Sequence, residues 1–379
     1  MQMVPTRWPG APDLPIGARY AVGMLKPYSR GVLGLVVSLL CACAAPSQRS
    51  PATDRALSAP LPPPQARSLI DGHQLRWPPI PPAQRAKYET QLAEAQAAFD
   101  ANPNSETNII WLGRRLAYLG RIEEAIAVYT AGLETHPRSP RILRHRGHRY
   151  ITVRNFDGAY DDLLLAAQLL QEEVIVDELE ADGQPNAQNQ PTSTLHGNIY
   201  YHLALAAYLK GDFAQAASIW GGALNSLPMS DDMRVAFMYW RFNALLRLGN
   251  TVSARDEIAE LSPDLPVIEN FAYKNLLLHA RGLVSEAQLM EGVEPRSIDE
   301  ATLCYGLAVQ ALGGGELVRA RALLTRSVAT GQWPSFGATA AEADLASMNR
   351  GELTAPAPIS SDDITKEQIR EITRQRNAN

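Results

Sequence analysis

A unit of 34 residues recurs along this chain, and that period constrains the fold more than any other feature. In residues 106–139, ETNIIWLGRRLAYLGRIEEAIAVYTAGLETHPRS, apolar and small residues fall at helical spacing in two blocks. The first block carries Ile109, Leu112, Gly113 and Leu116. The second carries Ile122, Ala125, Tyr129 and Leu133, after the turn Leu119-Gly120-Arg121. Gly113 and Ala125 are small where two helices must cross closely, Gly120 suits a turn that needs positive φ, and Pro137 cannot continue a helix. Residues 140–173 repeat the pattern with Leu143, Gly147, Tyr150, Phe156, Ala159, Leu163 and Ala166. A third copy spans 197–230, from Tyr200 and Leu203 to Trp220 and Pro228. A fourth starts near Val235, a degenerate fifth covers 268–293, and a sixth starts near Ala301. A single hairpin of this size cannot bury its apolar face, so the units must stack on one another.

The pattern resembles the tetratricopeptide (TPR) repeat, over about 84–349. The resemblance implies an all-α fold, an α-solenoid of about six TPR-like helical hairpins with a leading and a trailing capping helix. Residues 84–101, with the stripe Tyr88, Leu92, Ala95 and Phe99, are the leading cap; residues 335–349, with Ser335 as N-cap, are the trailing one. It also implies a concave groove and no chemistry, because the shared residues are packing residues. Ligands in this family contact the first helix of each repeat. That places Arg114, Tyr118, Arg141, Arg144, His148, Asn198, Tyr201, Tyr208, Tyr239, Asn243 and Arg247 as partner-binding residues. Planar guanidinium forks and amphipathic tyrosines suit a protein or peptide partner, and an acidic one.

The N-terminus carries a different signal. Lys26 and Arg30 precede an apolar run from Gly31 to Ala42, which is too short to cross a bilayer, where ~20 residues are needed. Leu40-Cys41-Ala42-Cys43 then resembles a lipobox, with Cys43 as the acylated residue. An ordinary signal peptide cut near Ala45 and an uncleaved anchor are the alternatives. Residues 1–42 are therefore the signal region, with Met24 the better start, and 43–83 a Pro-rich tether with ten prolines between Pro46 and Pro82. The tether leads to the 84–349 solenoid, and 350–379 reads as a flexible tail able to form a short helix. These features place the protein in the cell envelope, lipid-anchored on the non-cytoplasmic side. Ala44, where an aspartate would favour inner-membrane retention, points to the outer membrane.

Residues 174–196 interrupt the array after repeat two. They combine Asp177, Glu178, Glu180 and Asp182 with turn formers such as Gly183 and Pro185. Just upstream, 138–154 holds six arginines and no acid. Arg146 stands where the repeat expects a buried leucine, so pairing with an acid such as Asp157, Asp161 or Asp162 is expected. The formal net charge is −5, and removing residues 1–42 leaves 31 basic and 39 acidic residues, which argues against nucleic acid as a partner. No nucleotide-binding, nucleophile-elbow or metal-ligand motif is present, so no cofactor, metal or catalytic residue is expected; Cys304 reads as core. Two functions follow: an envelope scaffold that binds a protein or peptide in its groove, or an enzyme or small-ligand receptor whose pocket the 174–196 loop closes. An open trough favours the first, and a pocket closed around Arg141, Arg144, His148 and His202 the second. Cys43→Ser should release the protein from membranes, and the intact mass of the mature N-terminus should show acylation at Cys43. An unmodified terminus at Ala44 or beyond contradicts the anchor.

Overall fold

The computed structural model describes residues 66–172, 175–181 and 183–353. Apart from a hairpin of two short strands, β1 (Ala66–Arg67) and β2 (Gln74–Leu75), these residues form helices joined by turns and loops. Helix α1 (Pro82–Ala101) leads the array. Six hairpins follow: α2 (Glu106–Tyr118) with α3 (Ile122–Thr135), α4 (Pro140–Thr152) with α5 (Phe156–Glu172), α6 (Leu195–Leu209) with α7 (Phe213–Ser226), α8 (Asp231–Arg247) with α9 (Thr251–Ile258), α10 (Phe271–Ala280) with α11 (Glu286–Met290), and α12 (Ile298–Gly313) with α13 (Leu317–Ala329). Helix α14 (Phe336–Asn349) closes it. The chain is an all-α solenoid of TPR-like hairpins. No described helix is long and apolar enough to cross a membrane, and Cys43 lies outside the described residues.

The packing within a hairpin follows from residue size. Tyr129 of α3 lies across Gly113 of α2, where a β-carbon would stand 2.4 Å from the ring. The connecting turn places Gly120 at φ 76°. Its N–H donates to the Ala117 carbonyl at 3.0 Å, and the Arg121 N–H to the Leu116 carbonyl at 3.1 Å. Repeat two makes the same turn without glycine, because Arg154 stands at φ 67°. A side chain in that region costs about 1–2 kcal/mol, so this arginine is held there by its contacts. Serine and threonine caps start many helices; Ser139 accepts from the Ile142 N–H at 2.9 Å and Ser335 from the Ala338 N–H at 3.4 Å. The apolar core has two clusters that meet at α4: α1 and repeat one with Ile142, and the rest of the array.

The trailing helix ends the array with Ser335 as its N-cap, as expected, and 10 of its 14 residues are buried. It packs on α12 and α13 and also reaches α6, so it fills part of the concave side. Small residues permit the approach; a β-carbon on Gly337 would come 2.9 Å from the Thr302 backbone. One boundary needs correction, that of the tether. The packed body begins at Ala66, well before residue 84, because the segment after it has backbone and aromatic partners. The Leu69 N–H donates to Glu342 at 2.8 Å, the Trp333 indole N–H donates to the Arg76 carbonyl at 2.6 Å, and Trp77 meets Trp333 edge-on at 5.3 Å.

Arg154 and Glu342 tie these parts together. Their side chains are each 3% exposed, with Arg154 Nη2 2.5 Å from Glu342 Oε2, and Arg154 also donates to the Trp333 carbonyl at 3.0 Å. Removing either partner of such a pair leaves a buried charge, at a cost of about 3–5 kcal/mol. Arg154→Ala and Glu342→Ala should each lower the urea midpoint accordingly, and the double variant should lose less than the sum. Strict additivity contradicts a coupled pair.

Candidate functional site

The first helices of the hairpins turn their inner faces toward one another, and the residues expected to line the groove divide into two groups. Tyr208, Tyr239, Asn243 and Arg247 lie in the half that α12 and α14 fill. Tyr208 Oη is 2.6 Å from Tyr305 Oη, Tyr239 stacks on Tyr273 with ring centres 4.3 Å apart, Asn243 is fully buried, and Arg247 Nη1 donates to Asp344 at 2.6 Å. Tyr208, Tyr239 and Asn243 are buried and Arg247 nearly so, all apart from the loop-covered cavity, which corrects their assignment; Tyr208 and Arg247 border a separate cavity of about 480 Å³ with Lys210 and Phe213. The physical reason is the position of α14, whose Asp344 takes up the Arg247 charge and whose bulk excludes solvent from the face beneath.

The other group surrounds a cavity of about 430 Å³. Arg114 of α2 with Arg144 and His148 of α4 make one wall, and Asn198, Tyr201 and His202 of α6 a second. Met233 and Phe237 of α8, Tyr273 of α10 and Phe336 of α14 supply the apolar side, and Glu180, Ala181, Thr192 and Ser193 of the inserted loop cover it. Tyr118 stands behind this wall and accepts from Arg114 Nε at 3.3 Å, while Arg141 lies outside the lining and pairs with Glu178 at 3.1 Å. Met233, Phe237, Tyr273 and Phe336 were missed. Their helical spacing is that of core residues, and only ring closure brings Phe336 to within 5.3 Å of His148 and 5.6 Å of His202.

The loop lies over the inner face. Glu180, 10% exposed, is 3.2 Å from Arg144 and accepts from Asn198 Nδ2 at 2.5 Å. Arg114 donates to the Ala181 carbonyl at 2.9 Å and Arg115 to the Gly183 carbonyl at 3.0 Å. Asp177 caps α6, accepting from the His196 N–H at 2.9 Å. Elsewhere in the arginine-rich segment the pairs are internal. Arg146 binds Asp162 through two bonds of 2.7 and 2.8 Å, and Arg138 meets Glu172 at 2.9 Å. Arg149 has no ion pair among the described residues, and burial lowers its pKa despite the nearby Tyr129 and Tyr118 hydroxyls.

The histidines here are neutral. Burial first, then Arg144, holds His145 well below its ordinary value; burial first, then Arg149, does the same to His148. Arg144 donates to His145 Nδ1 at 2.8 Å, which leaves that proton on Nε2, facing Glu180. His202 Nδ1 donates to the Asn198 carbonyl at 2.6 Å, so its Nε2 is an acceptor. Burial pushes its pKa down to about 3. Cys304 is fully buried in α12, and burial pushes its thiol up to about 11, which suits a core residue and not a nucleophile.

No family model matches the chain, and no curated protein matches it. Among solved structures it is similar to YrrB, described as a TPR protein with an unusual peptide-binding site, at 14% identity over 62% of this chain and 91% of that one, with a TM-score of 0.34. A likeness that slight leaves the fold to rest on the hairpins themselves.

The depressed histidines set a pH response. Their folded pKa values lie below the unfolded value of about 6.5, so the unfolded chain takes up protons first and stability falls as pH drops through that point toward 3. His202→Gln should flatten the decline between about pH 6.5 and 4.5, by up to about 1.4 kcal/mol per pH unit in urea titrations. An unchanged slope contradicts a neutral, buried His202.

Proposed function

We propose that this protein is an envelope-anchored, non-catalytic scaffold that holds a protein or peptide partner at the loop-covered cavity of its concave face. The observation that carries this reading is the convergence of Arg114, Arg144, Asn198 and Tyr201, from three different hairpins, on one cavity. Guanidinium and amide donors at one side and aromatic rings at the other grip and stack; no hydroxyl or thiol is hydrogen-bonded to a histidine there among the described residues. Anchoring through Cys43 and export rest on the lipobox. The cavity's size, about 430 Å³, suits a few residues of a partner and not a long through-running chain. Its enclosure by the loop favours a second reading, a small-ligand receptor at the same place.

A photo-crosslinking residue in place of Tyr273, on the cavity wall, should capture a protein or peptide in intact envelopes. Adding Arg114→Glu should remove the adduct, and the same crosslinker at Leu165, which is 41% exposed on α5, should give none. Adducts that persist with Arg114→Glu, or that form equally at Leu165, contradict the reading; saturable binding of a small molecule without protein adducts supports the receptor instead.

A further inference from the structure

The inserted loop behaves as an occupant of the groove as well as its cover. Residues 178–180 are extended. The Glu180 N–H donates to the Ser193 carbonyl at 3.0 Å and the Leu195 N–H to the Glu178 carbonyl at 3.0 Å, with an isolated antiparallel bridge between Leu179 and Thr194. Alternation along an extended chain sends Glu178 and Glu180 to one side and Leu179 to the other. Glu178 and Glu180 meet Arg141 and Arg144, while Leu179 is 64% exposed to solvent. The backbone beyond them is gripped by Arg114 and Arg115. Gly183 lies so close to Tyr118 that a β-carbon would stand 1.8 Å from its hydroxyl oxygen. A short acidic strand thus lies where the inner-face arginines converge.

Its hold is uneven. The inner pair is nearly buried, but the Arg141–Glu178 pair is exposed and of a kind that contributes ~0–1 kcal/mol. Farther along, Asn186 and Thr192 are tied to Glu269, a residue at the surface. The positive charge also exceeds what the strand supplies. Arg114 meets a carbonyl, a tyrosine hydroxyl and the Trp111 ring, and neither it nor Arg149 has an ion pair among the described residues. Stripping Glu180 from Arg144 would be costly if nothing replaced it. Exchange for another carboxylate keeps the guanidinium paired, so the loop can be displaced by a strand like itself and by little else.

We propose that the partner bound at this face presents a short, extended acidic segment with two carboxylates two residues apart, and that residues 178–181 are its intramolecular competitor. This rests on the binding function above and names the partner's chemistry. A tethered competitor has an effective concentration in the millimolar range for short linkers, so an intact loop should weaken binding of a free segment severely.

The test uses the full chain in detergent and a labelled synthetic peptide of the loop's own sequence, IVDELEADGQ, followed by fluorescence anisotropy. Wild type should bind it weakly. Glu178→Gln with Glu180→Gln should raise affinity tenfold or more, and the peptide with the same two changes should not bind. A second variant carries protease sites at Ile175 and Ala187; nicking at both frees the segment from its two tethers and should produce the same gain with the arginines' chemistry intact, which covers the case in which the glutamine variant fails to fold. Equal affinity before and after nicking, or binding that ignores the peptide's two glutamates, overturns the proposal. If Tyr273 crosslinks a partner while the nicked protein ignores the peptide, the acidic-strand inference alone fails; if neither occurs, the binding function fails with it.

Discussion

Arg154 stands at a turn where the other well-formed hairpins use glycine, and its side chain meets Glu342 in a pair shielded from water. The rest of the arrangement follows from that contact. A solenoid of hairpins bound only to their neighbours is open at both ends. Here a residue of repeat two reaches the final helix, and the same carboxylate accepts the Leu69 N–H of the leading segment. Trp77 covers the turn of repeat one, with its ring placed so that a β-carbon on Gly120 would lie 2.6 Å away, and meets Trp333 just before α14. The first repeats, the leading segment and the last helix are joined at one place. The conformational cost at Arg154 is offset by the contacts that the position makes available.

Closure decides what the inner face can do. With α14 pressed against it, the stretch carrying Tyr208, Tyr239, Asn243 and Arg247 is interior, and its polar groups serve packing. The stretch nearer repeats one to three escapes this, and the inserted loop covers it instead. The two covers differ physically. Helix α14 is held by apolar burial and two buried ion pairs, Arg154–Glu342 and Arg247–Asp344. The loop is held by arginine contacts, a single bridge and surface hydrogen bonds, and so belongs to the less stable part of the molecule. A groove that would otherwise be a trough becomes a small cavity with one removable wall.

Much of the fold was legible in the residues. The 34-residue period, Gly120 at the turn, Gly113 at the close crossing of two helices and Ser335 as a cap all appear where the spacing put them, because each is decided within one hairpin or between neighbours. Arg146 also meets Asp162, as its place at a core position required. The closure was not legible. It depends on the small rotation from each hairpin to the next, summed over six, and the shortened second helices α9 (Thr251–Ile258) and α11 (Glu286–Met290) change that sum without leaving a motif. For the same reason nothing in the pattern separates Tyr201, which lines the cavity, from Tyr208 two turns along the same helix. The packed segment after Ala66 was hidden by its prolines, which suit an extended tether and an extended strap equally well.

The central claim is that the inner face is shut by a firm helix on one side and a loose loop on the other. Native-state hydrogen exchange tests it most directly. The amide of Leu69 and those of α14 should exchange only with global unfolding, while the Glu180 amide, bonded to the Ser193 carbonyl, should exchange through a local opening of lower free energy. Exchange at Leu69 and α14 as fast as in the loop would mean an open groove, and would contradict the account.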